Sequence, residues 1–249
     1  MIRAFSQQIQ MWTEGEAESR LEDILRQYDT RLHPSNDLNI PPGFNRASVL
    51  VPLFWKNGEW NVLLTVRSEN LRSHSGLVAF PGGKEDPEDE NVVATALRES
   101  EEEIGLDRKH VRVLCVLSPA IVRPANIVTP VVAIIPKDFE PIRNVEEVRK
   151  VFSLPISRFL NEDYTVKKFP FRGSLFFAYF FSDIIDGETI QTWGYTAQVI
   201  MKIAMVILDS DQQREVTEGH FMTKDTSLSA QTETDLLQQM LDNVKDSKL

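Results

Sequence analysis

Leu21, Ile24, Leu25 and Tyr28 recur at helical spacing, which predicts a short amphipathic helix over Ser19–Tyr28. Three prolines between His33 and Asn45 read as a linker. Two β-rich runs follow, Ala47–Trp55 and Glu59–Arg67, on either side of Asn57-Gly58. Both turn residues tolerate positive φ, so the pair predicts a tight hairpin. Ser68–Asp89 is a loop punctuated by Gly76 and Pro81-Gly82-Gly83, and Glu90–Ile104 is the clearest helical run. Val111–Leu117, Ile127–Ile135 and Leu175–Ile184 have the apolar, β-branched or aromatic make-up of strands. Helical turns are expected at Val145–Val151 and Pro155–Leu160, and a closing helix at Thr196–Leu208 after Gly194. Beyond Asp209 the chain turns polar, with one more helix expected at Thr232–Val244. The expected organisation is a helix and linker (1–45), a central domain (46–208) and a polar tail (209–249). Strands on both sides of one strong helix predict an α/β sandwich with a mixed β-sheet.

At 42% hydrophobic residues, a chain of 249 has ample material for a core, which excludes wholesale disorder. Thirty-seven acids against 27 bases leave a net charge of −10, so a nucleic-acid partner is not expected. Anionic metabolites stay open, because a divalent cation bridges acidic side chains to phosphate. The single cysteine, Cys115, excludes an intrachain disulfide and a cysteine-rich zinc site, and is itself expected to be inert core. No apolar run reaches the roughly 18 residues of a membrane helix, and Lys202 interrupts the best stretch, Gln198–Leu208. The chain ends Ser247-Lys248-Leu249, the address read by the peroxisomal import receptor, so a peroxisomal location is expected.

Candidate chemistry concentrates on the clear helix. At about 100° per residue, Glu99, Glu102 and Glu103 share an arc of about 100°. Val93, Ala96, Leu97, Ser100 and Ile104 occupy a separate arc, so one face packs while its neighbour carries carboxylates. Arg98, one turn before Glu102, is placed to hold it, and Gly105 is placed to end the helix. The carboxylates repel one another and oppose the macrodipole at this end of the helix. Two accounts fit the residues alone: a solvated acidic face, or an oxygen-rich site whose charge Mg²⁺ or Mn²⁺ offsets.

The neighbouring residues bear on that choice. Arg98-Glu99-Ser100-Glu101-Glu102-Glu103-Ile104-Gly105-Leu106 resembles the signature helix of the Nudix hydrolases, Arg-Glu-aliphatic-x-Glu-Glu-x-Gly-aliphatic. Ser100 departs at the first aliphatic position. The glycine-rich half is longer than the general pattern, which leaves Asp89 and Glu90 without a firm counterpart. Upstream, Leu63-Leu64-Thr65-Val66-Arg67-Ser68 and the run from Arg72 through Gly76 to Phe80-Pro81-Gly82-Gly83 resemble a second motif. That motif marks the coenzyme A diphosphatase branch of the family. Together the two span Leu63–Leu106, and the general likeness extends over Arg46–Leu208.

The resemblance implies the Nudix α/β/α sandwich and hydrolysis of the diphosphate of coenzyme A or acyl-coenzyme A to 3′,5′-ADP and 4′-phosphopantetheine. Glu99 and Glu103 would be the principal ligands of Mg²⁺ or Mn²⁺, with Glu102 completing the cluster or taking the proton of the attacking water. Glu147 is a second candidate for that base. Arg67 and Arg72 are candidate contacts to the diphosphate or the 3′-phosphate of coenzyme A. Two rival readings remain. One is a Nudix enzyme for NADH or ADP-ribose, against which the Arg72–Gly83 run argues. The other is an inactive Nudix-like binding module, against which the complete set of glutamates argues.

Overall fold

The computed structural model describes residues 12–32, 40–71, 73–122, 125–171, 174–210, 214–217 and 220–222. Strands β1 (Asn45–Lys56) and β2 (Glu59–Arg67) form the expected hairpin, with Asn57 and Gly58 at φ 55° and 82°. Positive φ at both positions is the turn whose twist matches the strands it joins. β3 (Val78–Ala79) pairs with β2, and β4 (Gly82–Lys84) folds back onto β1. β5 (Arg112–Val116), β6 (Ala120–Val122), β7 (Asn126–Ile134) and β8 (Val148–Pro155) complete an eight-stranded sheet. β7 runs parallel to β1 from Asn45↔Asn126 to Leu53↔Ile134, which makes the sheet mixed. A second sheet holds β9 (Thr165–Phe171), β10 (Ser174–Ile185), β11 (Glu188–Trp193), β12 (Arg214–Thr217) and β13 (His220–Met222).

Among the described residues three α-helices flank the sheets: α1 (Glu14–Leu25), α2 (Val92–Ile104) and α3 (Gly194–Ile207). Alternation along the central strands sorts their side chains between two cores. Leu50 and Phe54 of β1, Leu63 of β2, and Val131 and Ala133 of β7 pack with Ala96 and Ile104 of α2. Val51, Leu53, Val62, Leu64, Val132 and Ile134 face the other way, toward Leu21 and Leu25 of α1 and Ile200 and Ala204 of α3. Each fully buried Leu, Ile, Val or Phe contributes about 1.5–3 kcal/mol, so both faces of the sheet stabilise the fold. The α/β/α sandwich is therefore the observed architecture. No helix among the described residues is long and apolar enough to cross a membrane.

Several boundaries differ from expectation. The N-terminal helix starts at Glu14, where Thr13 and Glu16 form a capping box. Val145–Val151 is not a helical turn. Only the first residues turn, closed by Glu147 and Val148 N–H groups on Asn144 O, and from Val148 the chain is a strand. The open edge of β2 supplies its ladder partners, Leu63↔Ser153 among them, and that pairing overrides local preference. The stretch beyond Asp209 is not uniformly tail, since β12 and β13 extend the second sheet. The helix expected at Thr232–Val244 and the tripeptide Ser247-Lys248-Leu249 lie outside the described residues.

Candidate active site

Helix α2 is fastened at both ends. Asn91 Oδ1 accepts from the N–H groups of Val93 (2.9 Å) and Ala94 (3.1 Å), satisfying two of the first turn's free donors. Gly105, at φ 70°, turns the chain out while its N–H returns to Glu101 O. Ser100, where an aliphatic residue was expected, is fully buried and donates its hydroxyl to Ala96 O at 2.6 Å, so its polar atom is satisfied.

Arg98 is the hub of the exposed side. Its guanidinium grips Asp89 through two bonds, at 3.0 and 2.9 Å, and also reaches Lys84 O. Its Nη1 lies 3.1 Å from Glu102 Oε2 and 3.2 Å from Glu99 Oε1. The bond from Arg98 holds the Asp89 carboxyl well below the usual carboxylate range, although burial opposes it. The acid left without a counterpart by the sequence thus anchors the loop to the helix.

Glu103 points inward. It is 1% exposed, and its carboxylate accepts from Gly82 N–H at 3.1 Å and from Arg67 Nη1 at 3.3 Å. Arg67 reaches it because alternation along β2 puts Arg67 on the same face as Leu63, which packs with α2. Burial pushes the Glu103 carboxyl up to about 7, with Arg67 and Gly82 pulling down and the charges of Glu99 and Glu147 pushing up. Burial also raises Glu99, against the pull of Arg98, and Glu102 and Glu147 add to the rise. Glu147 therefore belongs electrostatically to this group. Its own backbone is tied to the end of β2 by Ser68 N–H, 2.8 Å from Glu147 O.

The two adjacent glycines have different reasons to be glycine. Gly82 sits at φ 150°, and a Cβ there would strike Ser48 O and Val49 Cα of β1. A Cβ on Gly83 would instead meet the Glu99 carboxylate at 2.5 Å. Gly82 lets β4 close onto β1, and Gly83 leaves room for a functional side chain.

The structure thus brings Arg67, Glu99, Glu103 and Glu147 together, with Glu102 at the rim, its side chain 55% exposed. The three helix glutamates grade from buried to exposed and do not form one solvated face. Arg72 lies outside the described residues. Cys115 is buried in the core shared with α1 and α3, as expected. Asp89 and the Gly82 N–H are the contributors that periodicity did not single out. The pairing of an acid nine residues upstream with Arg98 carries no local signal.

Among the described residues, no three His, Cys, Asp or Glu side chains are grouped closely enough to hold an ion as they stand. Arg98 draws Glu99 and Glu102 to itself, while Arg67 and Gly82 draw Glu103 into the sheet. The donor chemistry nevertheless fits a hard divalent cation: the oxygens are carboxylate, and Arg67 and the Gly82 N–H compensate the charge of the most buried of them only in part.

The family model of the NUDIX domain matches residues 44–171. The peroxisomal coenzyme A diphosphatase NUDT7 of Mus musculus is 38% identical over 168 residues, covering 66% of this chain and 71% of its own. The uncharacterized Nudix hydrolase NudL of Photorhabdus laumondii is 35% identical over 188 residues, covering 75% of this chain and 97% of its own. A NudL from Yersinia pestis is 32% identical over 196 residues, covering 75% and 94%. With the signature helix seated on a mixed sheet and a matching pattern across half its length, the chain belongs to the Nudix hydrolases.

Proposed function

We propose that this Nudix hydrolase cleaves the diphosphate of coenzyme A or its acyl esters, giving 3′,5′-ADP and (acyl-)4′-phosphopantetheine. The observation that carries the reading is the junction of its two motifs. The strand ending in Arg67 and the run ending in Gly82-Gly83 converge on Glu103, with the Arg67 guanidinium and the Gly82 N–H both within 3.3 Å of its carboxylate. The mouse relative, named a coenzyme A diphosphatase, supports the same substrate class. Peroxisomal residence is part of the proposal on the strength of that relative's name.

Glu99 and Glu103 would hold the Mg²⁺ or Mn²⁺, with Glu102 completing the set. The metal supplies two things when bound: a water of lowered pKa and screening of the leaving phosphate. Arg67, 22% exposed at its side chain, is near enough to the surface to turn a donor to the substrate's phosphate while holding Glu103. Arg72 is assigned to the 3′-phosphate. Glu147 is favoured over Glu102 for taking the proton, because Glu102 is committed to Arg98 at the solvent edge. Glu147 is partly buried, and its charge acts on both Glu99 and Glu103, which sets its carboxylate beside the site where the attacking water would stand.

A panel of coenzyme A, acetyl-coenzyme A, dephospho-coenzyme A, NADH and ADP-ribose, incubated with Mg²⁺ or Mn²⁺ and analysed by mass, tests the assignment. Coenzyme A or its ester should be cleaved with the highest kcat/KM, yielding 3′,5′-ADP. Preference for NADH or ADP-ribose would overturn the substrate. Location is tested by a fluorescent protein fused at the N-terminus, with and without Ser247-Lys248-Leu249. Peroxisomal signal that needs the tripeptide is the expected result, and a diffuse signal from the intact chain defeats it.

A further inference from the structure

The loop between β7 and β8 is fastened to the end of α2. Ile142 N–H donates to Ile104 O at 2.9 Å and Asn144 N–H to Glu103 O at 2.8 Å. These carbonyls belong to the last turn of the helix, which has no partners of its own for them. Asn144 is the knot. Its carbonyl accepts from Glu147 N–H (3.1 Å) and Val148 N–H (2.8 Å). Its side-chain Oδ1 accepts from Glu146 N–H at 3.2 Å, and its Nδ2 donates to Glu147 Oε1 at 3.0 Å. Every polar group of the residue is used. One end of it holds the backbone of Glu103, and the other holds the carboxylate of Glu147.

The geometry points to Asn144 as a positioning residue: it ties the Glu147 carboxylate to the backbone of Glu103, and so sets how Glu147 faces the site. The inference deepens the proposed function and rests on its assignment of Glu147. An amide is the side chain such a tie requires. It offers an acceptor to Glu146 N–H and an uncharged donor to a carboxylate in one short planar group. Aspartate has the same shape but no donor and a like charge, so it would push Glu147 away while leaving the loop's backbone bonds in place. Displacing a catalytic group by about 1 Å costs on the order of a hundredfold in rate, and binding need not change.

The test compares Asn144→Asp and Asn144→Ala with Glu147→Gln and the double variant Asn144→Ala/Glu147→Gln. Turnover is read on the best substrate of the panel, so a wrong substrate and a wrong role for Asn144 give different results. Both Asn144 variants should lose about tenfold or more in kcat with KM within about twofold, and Asn144→Asp should lose at least as much as Asn144→Ala. In the Glu147→Gln background, Asn144→Ala should cost nothing further, because its effect runs through the carboxylate already removed. A merely structural role would instead lower the melting temperature and cost the same in both backgrounds. That additive pattern, or kcat within about twofold of wild type for Asn144→Asp, overturns the inference.

Discussion

Glu103 combines nearly complete burial with two donors that compensate its charge only in part. Replacing it with glutamine removes a buried charge and keeps the shape, so folding should not suffer. Glu103→Gln is expected to lose at least about a hundredfold in kcat at an unchanged or raised melting temperature. Glu99→Gln should behave alike, and more than a tenth of wild-type kcat in either, a loss under about 1.4 kcal/mol, would refute the ligand role. Arg98 has the opposite profile. Its removal leaves Asp89, whose side chain is 6% exposed, without its bidentate guanidinium partner, with the Asp86 N–H at 3.0 Å and the Thr95 hydroxyl still bonded to it. Arg98→Ala should therefore cost about 1–3 kcal/mol of stability in a urea melt as well as activity. Arg98→Lys should recover little, since an ammonium cannot reproduce the two-bond grip on Asp89.

At the scale of elements, β4 joins folding to function through adjacent residues. Gly82→Ala drives a methyl into the backbone of β1 at a φ that side chains rarely adopt, and should cost more than about 2 kcal/mol. In Gly83→Ala the nearest atoms the methyl meets are the movable end of Glu99. That variant should melt within about 1 kcal/mol of wild type yet lose at least about tenfold in kcat. The join between α1 and β5 carries a different dependence. Asp29, just past the turn that follows α1, accepts from Arg31 and from Val116 N–H at 3.1 Å. Burial alone would raise this carboxyl, but the hydrogen bonds outweigh it and hold it below its ordinary value. A depressed carboxyl contributes stability above the unfolded pKa, about 3.9, and loses it as pH falls through the lower folded value. Asp29→Asn should thus destabilise at neutral pH, and the gap to wild type should close below about pH 4 in melts across that range.

These elements also show what could be read in advance. α2 was legible because its apolar period and its terminal Gly105 agree, and the β1–β2 hairpin because Asn57-Gly58 sits between two apolar runs. β9 was not: Thr165–Phe171 falls outside the runs expected as strands, and its pairing with β10 makes it one. β8 was misread at its start because its partner, β2, is distant in sequence. Within the site, the carboxylates on α2 were legible from helical spacing. Their unequal burial was not, because it depends on Arg67 and Gly82 arriving from other elements.

For the whole molecule, the parallel pairing of β1 with β7 sets the order of events during folding. Partners such as Asn45 and Asn126 or Leu53 and Ile134 bracket a long span, and the β1–β2 hairpin, both motif segments and α2 all lie inside it. Closing a loop of that length costs about 4 kcal/mol in chain entropy before any contact repays it. Local pieces, the hairpin and the capped helix, form cheaply, but neither holds Glu103 in the interior by itself. β7 supplies Val131 and Ala133 to the core under α2, so the burial of Glu103 is completed only when the central ladder zips, and the repelling acids are brought together late. Partly folded chains are consequently inert toward diphosphates, and recovery of activity on refolding should track the slow formation of long-range β-structure rather than the fast return of helix signal.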